Sequence, residues 1–349
     1  MMIIIITNIK DEPYTLSPLV SSSLNKAQNI HFIDNSGLTE RKFDSIFNYA
    51  TKNYLGNITI VPSTMDNFAK GSTADLSNVT LKTSNIKSFN YAFSEFNGKY
   101  PKNIDLTNVA NFASMFYGSD PDIINMDSFV DSTYIATARE IEVLALNSMF
   151  TTFTGRDISF DLWGFLVKKV KLLEKIKNHM NISLYSMLTY ARSIPFFSFY
   201  EIYMALADET FFKLSSRNSF NMVNIANAAT FKELEMPILN MDGFIYNRFS
   251  FNVCGINGVG KLVFRQPPNQ NIVSIDSLKT SITDGKYCSN FINSSKPESN
   301  TYKLPTTIVV RLLRAKTSIP ETTESIETIK TFLNATYTTP KANISVIFE

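Results

Sequence analysis

Apolar residues in the stretch from Phe43 to Met126 recur at fixed offsets. Phe47 is followed 11 and 13 positions later by Ile58 and Ile60, Phe68 by Val79 and Leu81, and Phe93 by Ile104 and Leu106. Apolar residues two apart share one face of a short strand. Each leading aromatic lies in a segment that reads as a short helix or turn, Phe43–Phe47, Met65–Phe68 and Phe89–Phe93, and turn formers fill the gap. One unit of this size has too little apolar surface to fold alone. Stacked units bury a continuous column, with one strand and one helical turn per coil.

The second members of the three doublets, Ile60, Leu81 and Leu106, are 21 and 25 residues apart, inside the roughly 20–29-residue range of leucine-rich repeats. The layout returns downstream with drift. Ser114-Met115-Phe116 precedes Ile124/Met126, and Ser148-Met149-Phe150 precedes Ile158/Phe160. Ser186-Met187-Leu188 precedes Phe197/Phe199, Asn227-Ala228-Ala229 precedes Met236/Ile238, and Arg248–Phe251 precedes Leu262/Phe264. Asn111–Gly118 and Leu146–Phe150 resemble the N-M-S-x-M-F-x-G core of BspA-like leucine-rich repeats, and Leu76–Val79 and Leu106–Val109 resemble that family's strand exit. The resemblance covers roughly residues 36–265. It implies protein recognition or attachment. The family's members are commonly exported and more regular, and this chain departs from them on both counts.

The expected fold is an α/β repeat: an irregular leucine-rich-repeat solenoid with helical insertions and a small C-terminal β-α-β cap. Residues 1–35 form an N-terminal cap with strands at Ile3–Ile6 and Ile30–Ile33, residues 36–285 the solenoid, and residues 286–305 a polar linker or loop. Residues 306–349 form a cap or docking module: a strand at Thr307–Leu313, a helix carrying Ile326, Ile329 and Leu333, and a strand at Asn343–Phe348. Helical insertions are expected at 131–145, Trp163–Met180 and 200–213, and a further strand at Ile272–Ile275 beyond the Pro267-Pro268 break. In Trp163–Met180, Leu166, Val170, Leu173 and Ile176 recur at helical spacing. Lys168, Lys169, Lys171, Lys175 and Lys177 fall mostly elsewhere and read as solvated. Such a helix also suits a membrane surface or an acidic partner, but packing of its apolar stripe on the solenoid is the expectation.

Composition narrows the partner. Charged residues make up 18% and the net charge is +2, which argues against a nucleic-acid surface working by counterion release. The remaining surface is rich in neutral Asn, Ser and Thr and suits permanent contacts in an assembly, although an AT-rich gene enriches several of the same residues. Cys254 and Cys288 are too few for a disulfide framework or a zinc site and read as buried thiols. Met1–Asn8 has an apolar run too short for a secretory signal and lacks basic residues ahead of it. No stretch approaches the ~20 apolar residues of a membrane helix. The expected location is the cytoplasm or a virion assembled there.

Candidate chemistry is sparse. Gly255–Lys261 satisfies G-x-x-x-x-G-K, but Leu262 stands where a phosphate loop needs Ser or Thr, and a strand pattern follows instead of a helix. His31 has Asp34 nearby and is expected to face solvent from a strand. His179 is expected to close the lysine-rich helix, where a cation suits the dipole. Neither makes a metal site. The pairs Asp120/Asp122 and Glu140/Glu142 read as turns or solvated helix faces. No catalytic, cofactor-binding or metal residue is assigned. The expected role is a non-enzymatic, cofactor-free scaffold for protein–protein contact, a structural part of a larger assembly such as a phage particle. A cell-surface adhesin of the BspA-like kind is the alternative.

Overall fold

Short runs of β-branched and aromatic residues, separated by turn formers, fold here as strands that pair in parallel with the next run of the same kind. The computed structural model describes residues 2–6, 29–34, 47–50, 53–55, 57–62, 64–136, 138–151, 157–208, 218–239, 249–250, 255–283, 305–337 and 342–349. Strands β1 (Met2–Ile6), β2 (Asn29–Asp34) and β3 (Asn53–Leu55) form one sheet, and β4 (Ile58–Ile60) pairs with β5 (Val79–Leu81). Strands β6 (Glu140–Ala145), β7 (His179–Ser183), β9 (Ser219–Asn221) and β11 (Phe249–Ser250) form a second sheet. Strands β8 (Ile194–Ser198), β10 (Thr230–Pro237), β12 (Gly258–Arg265), β13 (Thr307–Leu312) and β14 (Asn343–Phe348) form a third. Every strand pairing among the described residues is parallel. From β7 to β12 the strands of the last two sheets alternate along the chain. Each pass therefore adds one strand to one sheet, turns, and adds one strand to the other.

Among the described residues few helices fill the crossovers. They are α1 (Leu162–Gly164, running into a π turn at Phe165–Lys169), α2 (Leu172–Asn178), α3 (Phe199–Leu206), α4 (Ile275–Thr283) and α5 (Thr323–Tyr337). Local chemistry sets their starts. The Asp161 carboxylate accepts from Gly164 N–H at 2.8 Å, and Ser198 Oγ accepts from Glu201 N–H at 3.0 Å. The fold is α/β with parallel sheets.

One apolar cluster runs from Phe47 to Phe348. Its N-terminal half is a column of rings, with centroids 5.3 Å apart for Phe47–Phe68, 6.3 Å for Phe68–Phe93, 6.2 Å for Phe93–Phe116 and 5.5 Å for Phe116–Phe150. Tyr100, Phe129 and Phe165 close around Phe116. The Tyr100 hydroxyl is buried there and has no hydrogen-bond partner among the described residues, a cost the ring contacts must offset. Burial raises its pKa well above the ordinary phenol value.

Several sequence expectations need correction. Ile58 and Ile60 do pair in register with Val79 and Leu81, but Ile104 and Leu106 do not continue that register. Thr80 bridges Lys102, Asn103 takes a left-handed φ of 60°, and Ile104 pairs onward with Phe129. The slip leaves Val79, Leu81, Ile104 and Leu106 in one core. Ile124 and Met126 are not a strand doublet: they border or begin the 3₁₀ turns Pro121–Ile123 and Met126–Ser128, capped by Asp120 and Asn125. Residues 131–145 are not helical, since Glu140–Ala145 is β6. Trp163–Met180 is not one helix, because Lys171 is left-handed (φ 56°) and breaks it, and His179 already begins β7.

In the five-stranded sheet Leu234 and Met236, not Met236 and Ile238, lie opposite Leu262 and Phe264. The expected helix at 200–213 is α3, which ends at Leu206; residues 209–213 lie outside the described residues. Within the expected anchor 248–251, Phe249–Ser250 is a strand. Ile272 makes a single bridge to Thr317, and Ile275 opens α4. The C-terminal strand, helix and strand are present as β13, α5 and β14, and both strands extend the five-stranded sheet. Most of the expected linker, along with Cys254 and Cys288, lies outside the described residues.

Candidate interaction surface

The passes of the chain share a turn, and the turns stack. Six residues, Asn67, Tyr91, Ser114, Ser148, Ser186 and Asn224, occupy one column with φ between 54 and 57°. Four positions later comes a second left-handed residue: Gly71, Glu95, Gly118, Tyr190 or Ala228, a position Tyr49 holds in the preceding layer. Backbone bonds tie each layer to the next. Asn67 N–H donates to Asn90 O at 3.0 Å, Tyr91 to Ala113 O at 3.0 Å, Ser114 to Asn147 O at 2.8 Å, Ser148 to Tyr185 O at 2.9 Å and Ser186 to Val223 O at 3.2 Å. In the second column Tyr49 donates to Lys70 O, Gly71 to Ser94 O, Glu95 to Tyr117 O and Gly118 to Thr151 O.

The two residues that follow the first column point inward. They are Phe68/Ala69, Ala92/Phe93, Met115/Phe116, Met149/Phe150, Met187/Leu188 and Ile225/Ala226, all fully buried. Left-handed backbone costs a non-glycine residue roughly 1–2 kcal/mol. Burial of these pairs and the interlayer bonds offset that cost. Polar side chains brace the turn entrance as well: Asn111 Oδ1 accepts from Ala113 N–H at 3.0 Å and Asn221 Oδ1 from Val223 N–H at 2.9 Å. Asp66 Oδ1 accepts from Ser88 Oγ in the next layer at 2.6 Å.

The Ser-Met-Phe and Ser-Met-Leu segments at 114, 148 and 186 thus hold equivalent places. Two other anchors shift. Ala69, not Phe68, is the counterpart of Phe93, and Asn224-Ile225-Ala226, not Asn227–Ala229, forms the later turn.

Tyrosines stand out along the outer surface of the stack, beside the charged Asp66, Lys70 and Glu95. Tyr49 is 61% exposed, Tyr190 54%, Tyr185 43% and Tyr91 36%. Lys70 Nζ lies 4.8 Å from the Tyr91 ring centroid. The Tyr49 ring lies against Gly71, where a Cβ would come within 2.5 Å of it; that position also has φ +63°, so glycine suits it twice. Tyr, Ser and Asn along the stacked turns combine rigid aromatic area with adaptable hydrogen bonding, the mixture that recognises protein surfaces.

Behind the stack lies a buried lysine, where the residue pattern leads to the expectation of a solvated one. Lys175 is 1% exposed. Its Nζ donates to Leu106 O at 2.7 Å and Val109 O at 2.6 Å, and sits 4.9 and 5.4 Å from the centroids of Phe112 and Tyr134. Burial lowers its pKa to about 7. Asn178 Nδ2 donates to the Tyr134 hydroxyl at 2.6 Å. His179 closes α2 as its C-cap and is buried. Its Nδ1 lies 2.8 Å from Lys175 O, so that nitrogen carries the proton, and burial lowers the imidazole pKa. The cluster pins α2 to the carbonyl-rich turn at 106–109. A signal existed: Lys175 shares the helical face of Leu172 and Ile176.

The other candidates remain apart. Gly255–Lys261 runs into β12, and Lys261 Nζ pairs with Glu233 at 3.0 Å. Asp120 caps a 3₁₀ turn, and Glu140 and Glu142 lie on β6. His31 lies on β2. Among the described residues no group of three His, Cys, Asp or Glu could hold a metal ion, and no helix is long and apolar enough to cross a membrane. Comparison with protein-family models, curated proteins and solved structures finds no match to this chain.

Proposed function

We propose that the chain is an irregular leucine-rich-repeat solenoid of the BspA-like type that acts as a non-enzymatic scaffold for protein–protein contact, a structural part of a larger assembly such as a phage particle. The observation that carries this reading is the column of left-handed turns, with Tyr49, Tyr91, Tyr185 and Tyr190 exposed along it. A column held by backbone bonds presents these rings on an ordered main chain, which lowers the ordering cost on binding. The sparse charge leaves little to desolvate.

The test is purification from the native source followed by light scattering and cross-linking mass spectrometry. The chain is expected in a complex of fixed stoichiometry with a different protein, with contacts on turn residues 64–71, 88–95, 111–118 and 183–190. A chain free of any other protein, or contacts confined to other surfaces, would contradict the proposal.

A further inference from the structure

We infer that two copies of this chain pair through β14, antiparallel, about a two-fold axis through Val346. Strand β14 is the last strand of the five-stranded sheet. Asn343 N–H donates to Thr306 O and Glu349 N–H to Leu312 O, so the odd-numbered residues turn their backbone groups toward β13. The N–H and C=O groups of Ile344, Val346 and Phe348 then point the other way, off the sheet edge. Among the described residues nothing pairs with them.

Natural edge strands are blocked by lysine, proline, a bulge or extreme shortness. This one has none of these: Asn-Ile-Ser-Val-Ile-Phe is six residues long, uncharged and paired to β13 in unbroken register. Such a segment is prone to strand addition. Its faces alternate. Ile344 and Phe348 are buried, while Asn343 is exposed and Ile347 is 38% exposed. An antiparallel partner must match inward with inward residues and outward-pointing amides with outward-pointing amides.

A copy of β14 does both when Val346 lies opposite itself. Ile344 then lies opposite Phe348 and Ser345 opposite Ile347, and the whole of 343–349 is paired. A two-fold pairing of this kind closes on itself and ends the sheet, whereas an open edge would keep recruiting strands. The inference does not depend on the proposed partner at the turn face, which lies on other residues.

The experiment uses the full chain purified alone. Light scattering should give about twice the 39.4 kDa of one chain. Val346→Pro removes an N–H that β13 does not use, so proline is tolerated in the fold yet breaks the central pair. That variant should keep its circular dichroism spectrum and run as a monomer. Residue-resolved hydrogen exchange supplies the second readout: the amides of Ile344, Val346 and Phe348 should be protected alongside those of Ser345 and Ile347. A monomeric wild type, a Val346→Pro dimer, or fast exchange at Val346 in the wild-type dimer would each overturn the inference.

Discussion

Replacing Phe116 with alanine is expected to cost about 4 kcal/mol of stability, the range typical of a phenylalanine removed from a packed core. Phe116 is fully buried. Its ring lies 5.5 Å from Phe150, 5.7 Å from Phe165, 6.0 Å from Phe129 and 6.2 Å from both Phe93 and Tyr100. Those rings come from several successive passes of the chain, so the cavity would open between layers with no one segment free to collapse into it. Phe116→Leu retains most of the volume and should cost less than half as much. Urea unfolding followed by circular dichroism measures both. A loss below about 1 kcal/mol for the alanine variant would mean that the ring does not hold adjacent layers together.

Lys175 sets the second expectation, and its sign follows from the direction of the shift. Its folded-state pKa, about 7, lies below its ordinary value of 10.5. The folded chain therefore favours the neutral amine, and the unfolded chain binds more protons between those two values. Stability contributed by this group is lowest below pH 7 and rises as the pH climbs toward 10.5.

The limiting slope is roughly 1.4 kcal/mol per pH unit, so a gain of a few kcal/mol is expected between pH 7 and 10. The groups nearby do not cancel it. Asp105 raises the Lys175 pKa and Lys87 lowers it, both less than burial does. His179 is shifted below 6.5 and Tyr134 above 10.0, so both titrate outside this window. In Lys175→Met the gain should vanish, so the stability difference between wild type and variant should widen with pH in favour of the wild type. Parallel pH profiles for the two proteins would place Lys175 in water.

Much of this arrangement is legible in the pattern of residues along the chain. The three Ser-Met-Phe/Leu segments locate the turn column because a small polar residue tolerates the left-handed position and the next two side chains must be buried. The terminal β-α-β unit is legible for a similar reason: Thr307–Leu312 and Asn343–Phe348 are β-branched runs, and Thr323–Tyr337 buries Ile329, Leu333 and Tyr337 at helical spacing.

What the residue pattern hides is backbone conformation at single residues. A left-handed Asn103 slips the register of the rung that follows, and a left-handed Lys171 cuts an apparently continuous amphipathic helix. Glu140–Ala145 misleads because its apolar residues, Ile141, Val143 and Leu144, fit helical and strand spacing equally over so short a run. Ile141 and Val143 are in fact 77% and 51% exposed, so they carry no information about a core. Lys175 escapes notice because composition marks lysine as solvated, whereas two backbone carbonyls in one turn give it a buried partner.

The stacking itself is the claim on which the rest stands, and pulsed electron-spin distance measurements test it directly. One spin label replaces Asn67, and a second replaces Ser148, Ser186 or Asn224, in a chain whose native cysteines, Cys254 and Cys288, are changed to serine. These positions lie three, four and five layers from Asn67 in the ladder. At the ~4.8 Å spacing of parallel-paired backbone, the predicted distances are ~14, ~19 and ~24 Å, rising by one layer spacing at each step. Distances that fail to rise in that order, or that jump by tens of ångströms between neighbouring layers, would show that the turns do not share a column.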